Sequence, residues 1–404
     1  MCGVFVFFLF AQTLSLRNAG DFPVYVGVSF NGETVADARL LIDRVKDYTN
    51  LFVLGSTPVS RNETATNEVC DYAVSQGLSI IVNFGYYDPN PSSPDEAFRR
   101  WSWQHDWVVT ASQMYGSRFL GVYYDDEPGG VTLDFHWREF FTNYSNYLSL
   151  PFNTTIHRIY QKYVEAQATG VLPDDYDLEA EYFASVLYSA FYHGPRETGV
   201  ATFTSDYALY WFDYLGGYDV MLAELGWNHT TVQDIALVRG AARMQNRSWG
   251  AMVTWKYDQP PYLASGEEIY EQMVQAYQAG ATYITIFDYP TLPGNSYGVL
   301  TDEHFAALER FWNNVVQPNF GKPRANGVAD AALVLPRNYG WGMRKPSDTI
   351  WGVWGPDGKS VQIWENSRKL LAEYGLRLDI VYDDLAYPVL GKYSKVFLWN
   401  STGI

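Results

Sequence analysis

Three consecutive acids, Asp125, Asp126 and Glu127, follow the strand-like run Arg118–Tyr124 and precede Pro128, Gly129 and Gly130. Adjacent carboxylates repel, and on an extended strand they point to alternate faces. An acidic turn accounts for Asp, Pro and Gly, but Glu is a poor turn residue and a poor helix N-cap. Other acids also close β-rich runs: Asp206 after "VATFTS", Glu224 in "MLAELGW", Asp258 after "TWKY" and Asp288 in "IFDYP". Polar and aromatic residues stand beside them. Asn83, Tyr86 and Asp88 lie in "NFGYYD", Tyr124 precedes the three acids, Trp227 follows Glu224, and Trp255 and Lys256 precede Asp258. Paired carboxyls can cleave a glycosidic bond: one protonates the leaving oxygen while the other attacks or activates water. Indole and phenol rings can hold a sugar face. A lone strand-end Asp is as well explained by helix capping. The chemical reading therefore rests on Glu127 as acid, Glu224 as its partner and Asp125 as an electrostatic neighbour. Asp126, Asn83, Tyr86, Tyr124, Asp206, Trp227, Trp255, Lys256, Asp258 and Asp288 are the candidate substrate contacts.

For these residues to meet, their strands must end on one rim. Strand-like runs rich in β-branched and aromatic residues occupy Pro23–Phe30, Asn50–Gly55, Leu78–Gly85, Arg118–Tyr124, Val200–Asp206, Asp219–Gly226, Trp249–Trp255 and Ala281–Asp288. Helical spacing follows most of them, as in Thr34–Tyr48 with Thr34 as N-cap, Thr230–Gln245, Ser265–Gly280 and Asp302–Val316. Eight near-continuous apolar strands alternating with amphipathic helices imply a parallel sheet covered on both faces. In roughly 300 residues they predict a (β/α)8 TIM barrel over 21–318, whose active site lies at the C-terminal strand ends. An open doubly wound sheet is the alternative, but "FNGET" after the first strand is a poor phosphate-binding turn. The long stretch 131–198 interrupts the alternation and reads as a helical insert forming a lid over the rim.

From about Asn326 the pattern restarts, with strands at Ala329–Pro336, Leu376–Asp384 and Tyr393–Asn400 around a helix at Ser360–Gly375. This predicts a partial flavodoxin-like α/β domain over 326–404, joined by the linker "VVQPNFGKPRANG". The chain has 404 residues and a net charge of −17, which disfavours nucleic acid and anionic membrane surfaces as partners. The apolar run at 1–20 is short for a membrane span of about 20 residues. It reads as a signal peptide without a basic n-region, or else as a buried strand. Six sequons, at Asn62, Asn143, Asn153, Asn228, Asn246 and Asn400, point with it to an extracellular or cell-surface glycoprotein. The two cysteines, Cys2 and Cys70, show no zinc spacing, and the six His fall in helices or their flanks. No metal and no cofactor is expected.

The "DEP" at 126–128 resembles the "NEP" of the large retaining glycosidase clan built on (β/α)8 barrels. That resemblance implies Glu127 as acid/base and Asp126 as binder of the sugar 2-hydroxyl. A barrel followed by a flavodoxin-like domain resembles β-galactosidases with a trimerisation domain, which implies a homo-oligomer through the C-terminal domain. Two departures stand out: Asp replaces Asn at 126, and "TWKYD" holds no Glu where the clan's strand-7 nucleophile would be. Either Glu224 or Asp258 takes that role, or the mechanism differs. Carboxylates on strands 4 and 6 serve in the α-galactosidase clan. Chitinase-type barrels end strand 4 in D-x-D-x-E. Asp125 and Glu127 match its last D-x-E, while Tyr123 stands where the earlier Asp should be. A non-catalytic carbohydrate-binding or cell-surface barrel that has lost its nucleophile is the reading from a different class.

Overall fold

The computed structural model describes residues 24–84, 94–134, 168–169, 175–192, 198–320, 322 and 329–401. The leader at 1–20, Tyr86, Asp88, most of the insert, and the sequons Asn143 and Asn153 lie outside these residues.

Eight strands close into a parallel barrel in sequence order. They are β1 (Tyr25–Phe30), β2 (Leu51–Leu54), β3 (Ser79–Asn83), β4 (Phe119–Tyr123), β5 (Ala201–Asp206), β6 (Val220–Leu225), β7 (Ser248–Val253) and β8 (Tyr283–Phe287). Tyr25 pairs with Tyr283 where β1 meets β8, so the sheet has no edge and the open-sheet alternative falls. Inward residues alternate with outward ones. Leu51, Val53, Ile81, Phe203, Val220 and Leu222 fill the interior, while Val26, Val28 and Ile42 join the layer between strands and helices. The helix Val35–Val45 starts where expected, with the Thr34 hydroxyl accepting the Asp37 N–H at 3.1 Å.

β4 breaks the alternation before it reaches the acids. Ile80 pairs with Phe119 and Ile81 with Gly121, so Leu120 is an extra residue in the ladder. Such a bulge re-aims the side chains that follow. Leu120 and Tyr123, three apart, both pack into the barrel interior. Gly121 permits this: its φ is +151°, and a Cβ there would lie 2.1 Å from the Ala201 carbonyl oxygen.

Beyond the barrel, β9 (Ala331–Leu335), β10 (Leu378–Tyr382) and β11 (Lys395–Leu398) form a parallel three-stranded sheet in the order β10-β9-β11, with the helix Gly358–Tyr374 between β9 and β10. This small unit docks on the barrel helix Thr231–Gln245. There Arg239 meets Asp379 at 2.7 Å and donates to the carbonyls of Leu376 and Leu378 at 2.7 and 2.9 Å. The rings of Trp211 and Phe212 close on Tyr382 at 5.5 and 4.9 Å.

The described part of the insert comprises the helices Pro128–Asp134 and Tyr176–Tyr192. The second packs Tyr176 against Tyr339 and Trp354 at 5.6 and 5.2 Å, and Phe183 against Trp351 at 5.8 Å. It therefore rests on the segment that follows β9. The expected lid over the rim is not formed by the described part of the insert: none of those residues lines the cavity at the barrel mouth. The remainder lies outside the described residues.

Candidate active site

A cavity of about 670 Å³ opens at the C-terminal mouth of the barrel. That size suits a small-molecule or sugar site. Its floor is the top inward layer of the strands, including Asn83, Tyr123, Ser205, Glu224, Met252 and Phe287. Asp126 and Glu127 reach it from the loop after β4, and Trp227, Trp255 and Tyr289 from the loops after β6, β7 and β8.

The three consecutive acids do not alternate as a strand would make them. Asp125 and Glu127 have φ of 59° and 49°, the left-handed region that non-glycine residues rarely adopt. Such strain costs on the order of 1–3 kcal/mol per residue and concentrates at functional sites. Its effect here is geometric: Asp126 and Glu127 both enter the cavity, while Asp125 turns away. The twisted loop is pinned to β5, with the Tyr124 N–H on the Phe203 carbonyl at 2.9 Å and the Glu127 N–H on the Ser205 carbonyl at 3.0 Å.

The cavity carboxyls form one network. Glu224, on β6 and nearly sealed from solvent, accepts from Ser205 Oγ at 2.7 Å and from Trp227 Nε1 at 3.0 Å. The Tyr123 hydroxyl is hydrogen-bonded to Asp126 Oδ1 and lies 2.7 Å from Ser205 Oγ. Burial pushes the Glu127 carboxyl far above the usual range, and the neighbouring carboxyls of Glu224 and then Asp126 push it further. Burial and the neighbouring Asp126 carboxyl also raise Glu224, but hydrogen bonds from Trp227, Ser205 and Glu127 hold it down. The proton of this pair therefore resides on Glu127, which donates to an ionised Glu224. Two glutamates whose surroundings separate their protonation states are what acid–carboxylate catalysis requires.

Trp255 donates its indole N–H to the Tyr289 carbonyl at 2.6 Å and stacks on the Tyr289 ring at 6.0 Å. Trp227 meets Trp255 edge-on at 5.6 Å. Together these rings make an aromatic wall beside the carboxyls. No Lys or Arg is among the described residues lining the cavity. Nor does any group of three His, Cys, Asp or Glu among the described residues fit a metal ion.

Of the residues expected to meet, Glu127, Glu224, Asp126, Asn83, Trp227 and Trp255 line the cavity, and the other described ones do not. Asp125 faces away, accepting the Asp126 N–H at 3.0 Å, with burial raising it to about 6. Tyr124 is buried outside the barrel, its carbonyl accepting from the Tyr218 hydroxyl at 2.8 Å. Asp206 is one residue past the inward Ser205, so it points outward. It binds the N–H groups of Gly129 and Gly130 at 2.5 and 2.9 Å, and those of Tyr207 and Ala208 at 2.7 and 3.1 Å. Its role is to anchor the helix that follows Glu127. Glycine is needed there, because a Cβ on Gly130 would lie 2.1 Å from the Tyr207 ring. Asp288 holds Asn31 through its N–H at 2.7 Å and its amide at 3.0 Å, with burial raising it to about 7. Lys256 is tied to Glu268 at 2.7 Å. Asp258 sits on the exposed loop after β7. Tyr86 falls outside the described residues.

Tyr123, Ser205 and Tyr289 are among the cavity residues that sequence reasoning missed. Period-2 counting back from Glu224 and Asp206 would have found Ser205, since it is the inward neighbour of an outward acid. Tyr123 was hidden by the bulge at Leu120.

No family model and no curated protein matches the sequence. The fold is similar to that of a GH5_18 protein from Streptomyces cattleya solved in complex with GlcNAc, with a TM-score of 0.52 and 14% identity over 94% of this chain and 99% of that one. The catalytic domain of a beta-amylase from Paenibacillus polymyxa aligns at a TM-score of 0.43 and 9% identity, over 75% of this chain and 99% of that one. A GH5-4 broad-specificity endoglucanase from Clostridium longisporum aligns at 0.40 and 13%, over 74% and 97%. At these identities the likeness is one of fold, a (β/α)8 barrel.

Proposed function

We propose that the chain is a glycoside hydrolase acting on neutral oligo- or polysaccharides, with Glu127 as proton donor and Glu224 as the partner carboxylate. The observation that carries this is the placement of Glu127 and Glu224 together on one cavity beside the wall of Trp227, Trp255 and Tyr289, where burial raises both carboxyls and Glu127 the more strongly. Glu127 gives its proton to the glycosidic oxygen, and Glu224 attacks the anomeric carbon. Glu127, now a carboxylate, takes a proton from the water that releases the sugar. Neighbouring carboxyls whose charges act on each other favour the double-displacement route, which needs no water held between them. The cavity's carboxylates, with no cation among the described lining residues, disfavour an anionic substrate.

The β4–β6 placement agrees with the resemblance to the α-galactosidase clan and supplies the carboxylate that β7 lacks. The GH5_18 neighbour, held in complex with GlcNAc, agrees with the class. The trailing sheet order, with the first strand flanked by the second and third, fits the opening of a flavodoxin-like sheet and its expected role in oligomerisation. The exposed sequons Asn62, Asn228, Asn246 and Asn400 favour export as a glycoprotein.

The test is a screen of purified wild-type protein and Glu127→Gln against aryl glycosides and polysaccharides. Turnover of at least one glycoside by the wild type, lost in the variant, supports the reading. Saturable sugar binding without turnover would make the chain a carbohydrate-binding barrel instead.

A further inference from the structure

Four oxygen contacts run in series across the cavity floor. Asp126 Oδ1 meets the Tyr123 hydroxyl, which lies 2.7 Å from Ser205 Oγ, which lies 2.7 Å from Glu224 Oε1, which belongs to the carboxyl that receives the Glu127 proton. Each contact needs one proton, because two oxygen lone pairs facing each other repel. The first three contacts involve only two hydroxyls, and a hydroxyl brings one proton. The Ser205 N–H also donates to the Tyr123 oxygen at 3.0 Å, so this oxygen accepts from the backbone besides. Ser205 Oγ has a second, longer contact with Asp126 Oδ1 at 3.4 Å, which does not change the count. A third proton is therefore required, and only the end groups can supply it.

We propose that Asp126, Tyr123 and Ser205 form a proton relay to Glu224, with one proton held by the Asp126 carboxyl when Glu224 is ionised. In that state every donor points the same way: Asp126 to Tyr123, Tyr123 to Ser205, Ser205 to Glu224. Shifting three protons one step along the chain reverses the direction and leaves Asp126 ionised and Glu224 neutral. No atom is gained or lost; one negative charge crosses from Glu224 to Asp126. Asp126 lines the cavity, so it exchanges protons with whatever fills it. Tyr123 and Ser205 are positioning residues that set the charge on Glu224. The relay's use in turnover rests on the glycosidase reading; its proton count does not.

The groups facing Glu224 are Glu127, Asp126, Ser205 and Trp227, with Tyr123 one contact further and Asp206 outside the strand end. Removing the Tyr123 hydroxyl breaks the chain. Ser205 then serves Glu224 alone, and Asp126 no longer needs a proton.

Infrared difference spectra at neutral pH, on protein carrying ¹³C-labelled aspartate, test this without substrate. Wild type minus Asp126→Asn is expected to show loss of one protonated-carboxyl stretch. Wild type minus Tyr123→Phe is expected to show that stretch replaced by a carboxylate band. Loss of a carboxylate band in Asp126→Asn, or no change in Tyr123→Phe, overturns the relay. If one variant fails to fold, the other carries the same readout. With a glycoside in hand, the acidic limb of kcat/KM moves upward in Tyr123→Phe, by on the order of one unit, because an ionised Asp126 then faces Glu224. Adding Asp126→Asn to that variant returns the limb, which a merely structural contact would not do. An unmoved limb overturns the role in catalysis. A protein without glycosidase activity but with the expected spectra would keep the relay and refute the enzyme reading.

Discussion

Glu127, on the loop after β4, and Glu224, on β6, line one cavity as neighbours, and burial with the Glu224 charge raises the Glu127 carboxyl far above its usual range. The proposed double displacement sets the stereochemical expectation. Retaining enzymes hold their carboxyls about 5–5.5 Å apart and inverting ones about 6.5–9.5 Å, the extra space admitting water. The first product released should keep the anomeric configuration of its substrate. Proton NMR in the opening minutes of hydrolysis, before mutarotation, reads this directly. An inverted first product would make Glu224 a general base and not a nucleophile.

The small sheet depends on one buried ion pair. Arg239 and Asp379 are both nearly sealed, at 5% and 0% side-chain exposure. Breaking such a pair leaves an uncompensated charge and costs about 3–5 kcal/mol. Arg239→Met should lower stability by that amount in urea unfolding. Asp379→Leu added to it should recover part of the loss, with Tyr393 and Arg243 then losing their contacts to Asp379. A single-variant cost below about 1 kcal/mol would show that the sheet docks through its aromatic contacts alone.

The barrel was legible because its strands are apolar runs of regular spacing, and a parallel sheet buried on both faces leaves that signature. The rim was legible too, since Glu224 lies four residues after Val220 on the inward side of β6. What failed was the choice among acids. Ser205 and Asp206 are neighbours, and a single step along β5 sends one into the cavity and the other under the helix Pro128–Asp134. The bulge at Leu120 and the left-handed residues Asp125 and Glu127 could not be read from residue types, because they depend on pairing with β3 and β5. Strict alternation would have put Asp125 inside and Asp126 outside, the reverse of what the loop does.

Asp213 offers a pH test of the site's supports. It is fully buried in the helix Tyr210–Gly216, beside Asp206. Burial, then the Asp206 charge, raises its carboxyl well above the usual range, with Asp125 adding to the effect. The folded-state value thus exceeds the unfolded one, near 4. The stabilisation from this proton is full below the unfolded value and is lost as pH climbs toward the folded one. Wild-type stability should decline above pH 4 with a contribution of up to about 1.4 kcal/mol per unit from this group. Asp213→Asn should flatten that decline, measured by urea midpoints between pH 4 and 8. Parallel curves for the two proteins would show that Asp213 is ionised in the fold.

The central claim is that Glu127 delivers the proton to the leaving group. Glu127→Gln keeps the size of the side chain and removes its titrating proton. Once a substrate is known, kcat/KM should be compared for the natural glycoside and for an aryl glycoside whose leaving group is already acidic. The account predicts a fall on the order of 10²–10⁴ for the natural glycoside, the usual share of general acid–base catalysis, and a much smaller fall for the aryl one. Equal activity of wild type and variant on both substrates would contradict it and leave the acids after β4 as a turn.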